Sequence, residues 1–243
     1  MQSSIKHLLI ICIISLSTLS GCTNVSMKPQ DRKDIQTLNI SEPVKLPASI
    51  FYKDLSMSMV EAASAGVAAG VTASNRDMNS GKDTAVVVAA GVAGGMIGEQ
   101  ISRPMGNGPA AKLTNAMIDN NINPGTITKA AIINELENQK KMKNTQSTEA
   151  DGTLKITINQ YGFHHSLMFS NKMYPWLDVT AEIIAKDGRI AWKRNAIINS
   201  ADPRNTINFY VDEYCEQPER INDAFKSVAN SVAIEIVKSI PKQ

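Results

Sequence analysis

The sequence holds little of what usually declares chemistry: three histidines, two tryptophans and three cysteines in 243 residues. His164 and His165 are adjacent, so on a strand they point to opposite faces and cannot share one metal ion. Ser166 and Ser170 lack the spacing of a nucleophile and its base. The glycine-rich run Gly91–Gly98 has no lysine-serine ending and no strand before it, so it is not a phosphate loop. Neither a cofactor nor a metal is expected, and the chain reads as a non-enzyme. Charge of one sign is also missing: 25 lysines and arginines face 23 acids, a net +2 that gives no general attraction for nucleic acid.

Long apolar runs are absent as well. The first, from Leu8 to Leu16 behind Lys6, falls short of the ~20 residues that span a bilayer and has the layout of a secretory leader. It closes on Leu19-Ser20-Gly21-Cys22. This tetrad resembles the lipobox of bacterial lipoproteins, which implies cleavage before Cys22 and acylation of that cysteine with three chains. Thr23, in place of aspartate, implies transport to the outer membrane, with the body facing the periplasm or the cell surface. Cys12 leaves with the leader and Cys22 is taken by lipid, so Cys215 has no partner for an internal disulfide. It reads as a half-buried residue before a helix.

What the sequence has in excess is glycine and alanine, concentrated in two arms between Met59 and Gln100 around the polar loop "SNRDMNSGKD". Ala62, Gly66 and Gly70 recur every fourth residue in the first arm; Gly91 with Gly95, and Gly94 with Gly98, do so in the second. On helices these positions form smooth grooves where another backbone can approach closely. The second arm is apolar on nearly every side and asks for burial, yet Ala85 to Gly98 covers only about 21 Å as a helix, against a ~30 Å hydrocarbon core. Several hairpins packed together suit this better than one, which points to a homo-oligomer at a membrane. The stretch resembles the glycine-zipper hairpins of outer-membrane lipoproteins such as the plasmid surface-exclusion lipoproteins of the TraT type. An Ala/Gly helical pair packed on the protein's own body, or a segment without order, is the alternative.

The rest reads as an α+β body with a small antiparallel sheet. Residues 22–43 are polar, without period and bounded by prolines, and are expected to be a flexible tether. Val44 to Tyr52 suggests a short edge strand, since Pro47 argues against a central one. Two helices follow, with Leu113, Met117 and Ile118 on the face of the first and Ile127, Ala131, Ile132 and Leu136 on that of the second, separated by Asn123-Pro124-Gly125. Leu154, Ile156 and Ile158 alternate with polar residues, as on a half-buried strand. Leu177 to Ile183 and Ile190 to Trp192 pair across Asp187-Gly188 as a hairpin. A final amphipathic helix carries Ile221, Phe225, Val228, Val232, Ile236 and Ile240 on one stripe.

The strand, DG turn and tryptophan-bearing return strand in "VTAEIIAKDGRIAWK" resemble the small periplasmic domains of envelope lipoproteins, including the curli secretion lipoprotein and penicillin-binding-protein activator families. The expected organisation is therefore a leader (1–21), a lipidated tether (22–43), a lead-in strand (44–58), a glycine-zipper hairpin (59–100) and an α/β domain (101–243). Tyr174 and Trp176, just before the best strand, either close the end of the core or form a candidate patch for an envelope protein partner. Two functions fit: membrane-associated self-assembly, or a monomeric adaptor for an envelope enzyme, transporter or secretion component.

Overall fold

A computed structural model describes residues 24–41, 44–53, 101, 103–104, 106–145, 149–165 and 171–242. The leader, Cys22 and all of 54–100, with Ala62, Gly66, Gly70, Gly91, Gly94, Gly95 and Gly98, lie outside the described residues. In chain order the elements are α1 (Pro29–Asp34), β1 (Thr37–Ile40), β2 (Phe51–Lys53), α2 (Pro109–Asp119), α3 (Pro124–Gln139), β3 (Lys143–Asn144), β4 (Gly152–His165), β5 (Met173–Ala185), β6 (Ile190–Ile198), α4 (Val211–Glu216) and α5 (Glu219–Ser239). The fold class is α+β.

β4 and β5 carry the sheet because their alternation gives each one apolar face. Leu154, Ile156 and Ile158 on β4 and Leu177, Val179, Ala181 and Ile183 on β5 are all buried. They pair antiparallel from Gly152↔Ala185 to His165↔Met173. β5 then returns as β6 through a turn in which Gly188, at φ +81°, donates to the Ala185 carbonyl at 2.9 Å. On the helical side, Asn123 caps α3 by accepting from the N–H groups of Gly125 (2.8 Å) and Thr126 (3.2 Å), with Pro124 in the first turn. Asn123-Pro124-Gly125 thus starts α3, whereas α2 has already ended at Asp119, with Asn120 as its C-cap and Asn121 at φ +55°. α5 buries Ile221, Phe225, Val228, Val232 and Ile236. Its C-terminal end is held by the buried Lys141, whose Nζ donates to the carbonyls of Ile240 and Lys238.

Two expectations are corrected. The sheet is mixed rather than antiparallel: its order is β3-β1-β4-β5-β6, with β2 also on β4, and β1, β2 and β3 are joined in parallel. The long crossover that parallel pairing requires is supplied by the helices between β1 and β4. The second correction concerns the tether. From Asn24 onward it belongs to the body: Val25 exchanges hydrogen bonds with Lys193 on the edge of β6 at 2.9 and 3.0 Å. Met27, Ile35, Leu38 and Ile40 are then buried in the core.

The segment from Thr37 to Lys53 runs along β4 as one interrupted strand. Leu38 lies beside Gly152, Lys45 beside Thr157 and Phe51 beside Gly162. Pro47, which has no N–H to give the ladder, lies between the last two contacts, and in place of a strand over Val44–Tyr52 there is a single bridge at Lys45 and a short strand at Phe51–Lys53. Leu38 with Ile40, and Val44 with Leu46, alternate with their neighbours over only a few residues each, too short a run to declare a strand. They become visible only when β4 offers them a partner.

Two carboxylates pin the chain where it enters this crossing. Asp31 accepts two hydrogen bonds from Arg189 beside the β5–β6 turn, at 2.8 and 3.1 Å. Asp151 accepts from the Thr37 hydroxyl (2.8 Å), the Thr37 N–H (3.0 Å) and the Gln36 N–H (3.2 Å). The Arg189 guanidinium holds the Asp31 carboxyl below its usual range, and the Thr37 hydroxyl with the two N–H groups does the same for Asp151.

Leu38→Ala is expected to cost about 2–5 kcal/mol, read as a lower urea midpoint; an unchanged midpoint would return this segment to the role of a tether. A carboxylate depressed by folding contributes stability above its unfolded value of ~3.9, and that stability is lost as pH falls through the folded value. The thermal midpoint is therefore expected to fall on acidification through the carboxylate range, with Asp31→Asn lowering it at neutral pH and flattening part of the acid slope.

Candidate functional site

The two faces of the sheet differ in kind. α3, α4 and α5 cover one of them, and on that side Phe163 meets Tyr214 at 4.9 Å and Phe225 at 5.4 Å between ring centroids. Over much of its length the opposite face is polar. Asn159 and Asn195 both donate to Asp178, at 2.9 and 2.7 Å, and Glu182 bridges Lys155 at 3.6 Å and Lys193 at 3.0 Å. At the end where β5 begins, this polar ladder gives way to an apolar group: Phe51, Trp176, Tyr174 and Ile197.

A β-bulge decides which residues reach that group. Pairing between β4 and β5 slips by one residue between Ile158 and Gln160, so Tyr161 and Phe163 take the helix side after Ile158. Gly162 and His164 are thereby turned outward, opposite Trp176 and Tyr174. Gly162 is required there. It sits at φ +152°, and a Cβ would lie 1.8 Å from the Phe51 carbonyl oxygen. That close approach lets β2 dock and places the Phe51 ring 5.3 Å from Trp176. On its other side Trp176 meets His164 edge-to-face at 5.1 Å.

His164 is 7% exposed and works as a brace. Its Nε2 accepts from the Ser200 N–H at 2.7 Å, which places the proton of the neutral ring on Nδ1, with the Ser200 hydroxyl at 3.4 Å. Asn205, also buried, donates to the carbonyls of Pro175 (2.8 Å) and Asn199 (3.0 Å). Together these bonds clamp the loop after β6 onto the start of β5. The Trp176 Nε1 is buried without a hydrogen-bond partner. Tyr174 and Trp176, the sequence-predicted patch, therefore share one face, half-buried, with Ile197 at 42% exposure beside them.

The other candidates fall elsewhere. Cys22 and the packing glycines are outside the described residues. Cys215 is half-buried in α4, ahead of α5, and burial pushes its thiol up, away from reactivity. Among the described residues no group of three or more histidine, cysteine or acidic side chains is placed to hold a metal, and no helix is long and apolar enough to cross a membrane. An open groove of about 870 Å³, lined by Asn39, Ser41, Thr126, Lys129 and Asn144, lies between β1 and α3. Sequence reasoning missed it because β1 carries no strand signal.

No protein-family model matches the chain, and no curated protein does. Among solved structures, a chain of the PelC dodecamer from Paraburkholderia phytofirmans aligns over 90% of this chain and 96% of its own, at 9% identity and a TM-score of 0.37. A protein from Xanthomonas campestris aligns over 46% of this chain and 58% of its own, at 14% identity and 0.35. A Caulobacter crescentus CB15 chain, described as a candidate lipoprotein, aligns over 48% and 80%, at 12% identity and 0.32. At these identities and scores nothing about function passes from them to this chain.

Gly162→Ala is expected to expel β2 from β4 and wet Trp176, so that tryptophan emission shifts to the red while far-ultraviolet circular dichroism keeps its helical signal. An emission spectrum identical to wild type would mean that β2 does not cover Trp176.

Proposed function

We propose that the chain is a non-enzymatic lipoprotein of the outer membrane that self-associates through its Gly/Ala-rich hairpin. The observation that carries this reading is Leu19-Ser20-Gly21-Cys22, closing an apolar run directly ahead of the folded body. Each buried methylene contributes about 0.8 kcal/mol, and stable anchoring takes more than one chain, which the triple acylation implied by the lipobox supplies. Thr23 directs the outer membrane by the same resemblance. Gly66, Gly70, Gly91 and Gly95 repeat at the spacing that lets helix backbones approach closely, and the charges of Arg76, Asp77, Lys82 and Asp83 confine the loop between the arms to water.

A second reading is favoured by the half-exposed face at Tyr174, Trp176 and Ile197: a monomeric adaptor that docks an envelope protein there. It differs from the first in making the hairpin dispensable for capture of that partner.

Cys22→Ser is expected to move the protein from the membrane to the soluble fraction. Sized in mild detergent, the acylated wild type is expected to run as an oligomer and the Gly66→Leu, Gly70→Leu, Gly91→Leu, Gly95→Leu variant as a monomer. Equal sizes for the two would remove the assembly role from the hairpin, and a monomeric wild type would select the adaptor.

A further inference from the structure

The distance between anchor and body follows from where the sheet begins. Asn24 Oδ1 accepts from the Asn195 N–H at 3.1 Å, and Val25 forms an isolated antiparallel bridge with Lys193, so the first described residues are fastened to the open edge of β6. Cys22 is two residues upstream. Its Cα therefore lies within about 7 Å of that of Asn24. Because the pairing is antiparallel, Asn24 lies beside Asn195, on the side of Val25 toward the Ile197 end of β6.

Ile197 belongs to the apolar end of the open sheet face. It is 42% exposed, with Trp176 and Tyr174 on the same face of β5. At the same end, Phe209 pairs with Met173, and the next residue, Tyr210, is 49% exposed with Lys172 Nζ 5.7 Å from its ring centroid. Tryptophan, tyrosine and lysine beside an apolar residue are the side chains that settle at the headgroup level of a bilayer. Three acids lie in or beside this group: Asp178 is held by the amides of Asn159 and Asn195, Glu213 accepts from the Tyr210 N–H at 2.8 Å and pairs with Arg220 at 2.9 Å, and Asp212 is exposed with Lys112 at 3.7 Å.

We infer that the lipid surface itself covers this end of the sheet: acylated Cys22 holds the body flush against the bilayer, with Ile197, Trp176 and Tyr210 at the headgroups. The inference rests on the lipoprotein reading. It adds an orientation, with the polar ladder of β4 and β5 leading away from the membrane and the β5–β6 turn farthest from it.

Tryptophan quenching in vesicles tests this. The acylated full-length protein carrying Trp192→Phe, which leaves Trp176 as the sole tryptophan, is reconstituted with phosphatidylethanolamine and phosphatidylglycerol brominated near the headgroup. If Trp192→Phe fails to fold, the signal of Trp176 is the difference between wild type and Trp176→Phe. Loss of Trp176 emission is expected. A spacer of about twenty glycine and serine residues inserted between Thr23 and Asn24, reaching roughly 25 Å as a coil, should restore that emission while the protein still floats with the vesicles. Unquenched Trp176 in a protein that floats overturns the inference and leaves the face to a protein partner; quenching that the spacer does not relieve overturns it too. Failure of the lipoprotein reading looks different: wild type and Cys22→Ser then both remain in the unbound fraction.

Discussion

The structure depends on β4 being paired continuously along one edge and at intervals along the other. On one side β5 follows it through the Asn159 bulge from Gly152 to His165. On the other, the interrupted segment from Thr37 to Lys53 follows it in three pieces. A strand paired on one side only would leave a row of N–H and C=O groups open to other chains. Here that row is closed by residues whose own pattern is too weak to form a strand alone, and whose apolar side chains complete the core beneath α3 and α5.

This dependence explains why two glycines matter more than the rest. Gly152 lies where a Cβ would meet the Ile184 carbonyl at 3.1 Å and the Ile35 side chain at 3.2 Å, and Gly162 where it would meet the Phe51 carbonyl at 1.8 Å. Both sit on β4, one at each end of the segment that docks on it. Beyond Gly162 the same strand supplies His164, which braces the Ser200 loop and backs Trp176. The bulge, the missing side chain and the buried imidazole therefore act as one device. It turns aromatics to the helices on one face and builds a wet-edged apolar group on the other.

With the N-terminal segment folded into the sheet, an anchor at Cys22 would act at a fixed point on β6 rather than through a loose leash. Body and anchor are then coupled mechanically, since the hydrogen bonds of Asn24 and Val25 and the Asp31–Arg189 pair must all yield before the sheet can turn away. Such coupling gives a membrane protein an orientation as well as an address, which a coil of the same residues would not.

Local pattern alone determined the elements whose period is complete within their own residues. The hairpin around Asp187-Gly188, the strand at Leu154–Ile158, the α3 start at Asn123-Pro124 and the stripe of α5 are each legible because alternation, turn chemistry and helical spacing act over neighbouring positions. That Tyr174 and Trp176 share one face was legible for the same reason, two aromatics one pleat apart. Phe51, His164, Gly162 and Ile197 were not, because their company depends on a one-residue slip in β4 and on a parallel partner more than a hundred positions away in the chain. Residues 24–40 were misread on the same account: polar residues dominate that segment locally, and only tertiary structure decides that its few apolar side chains are worth burying. The Leu19–Cys22 tetrad and the regularly spaced glycines remain properties of sequence, since both lie outside the described residues.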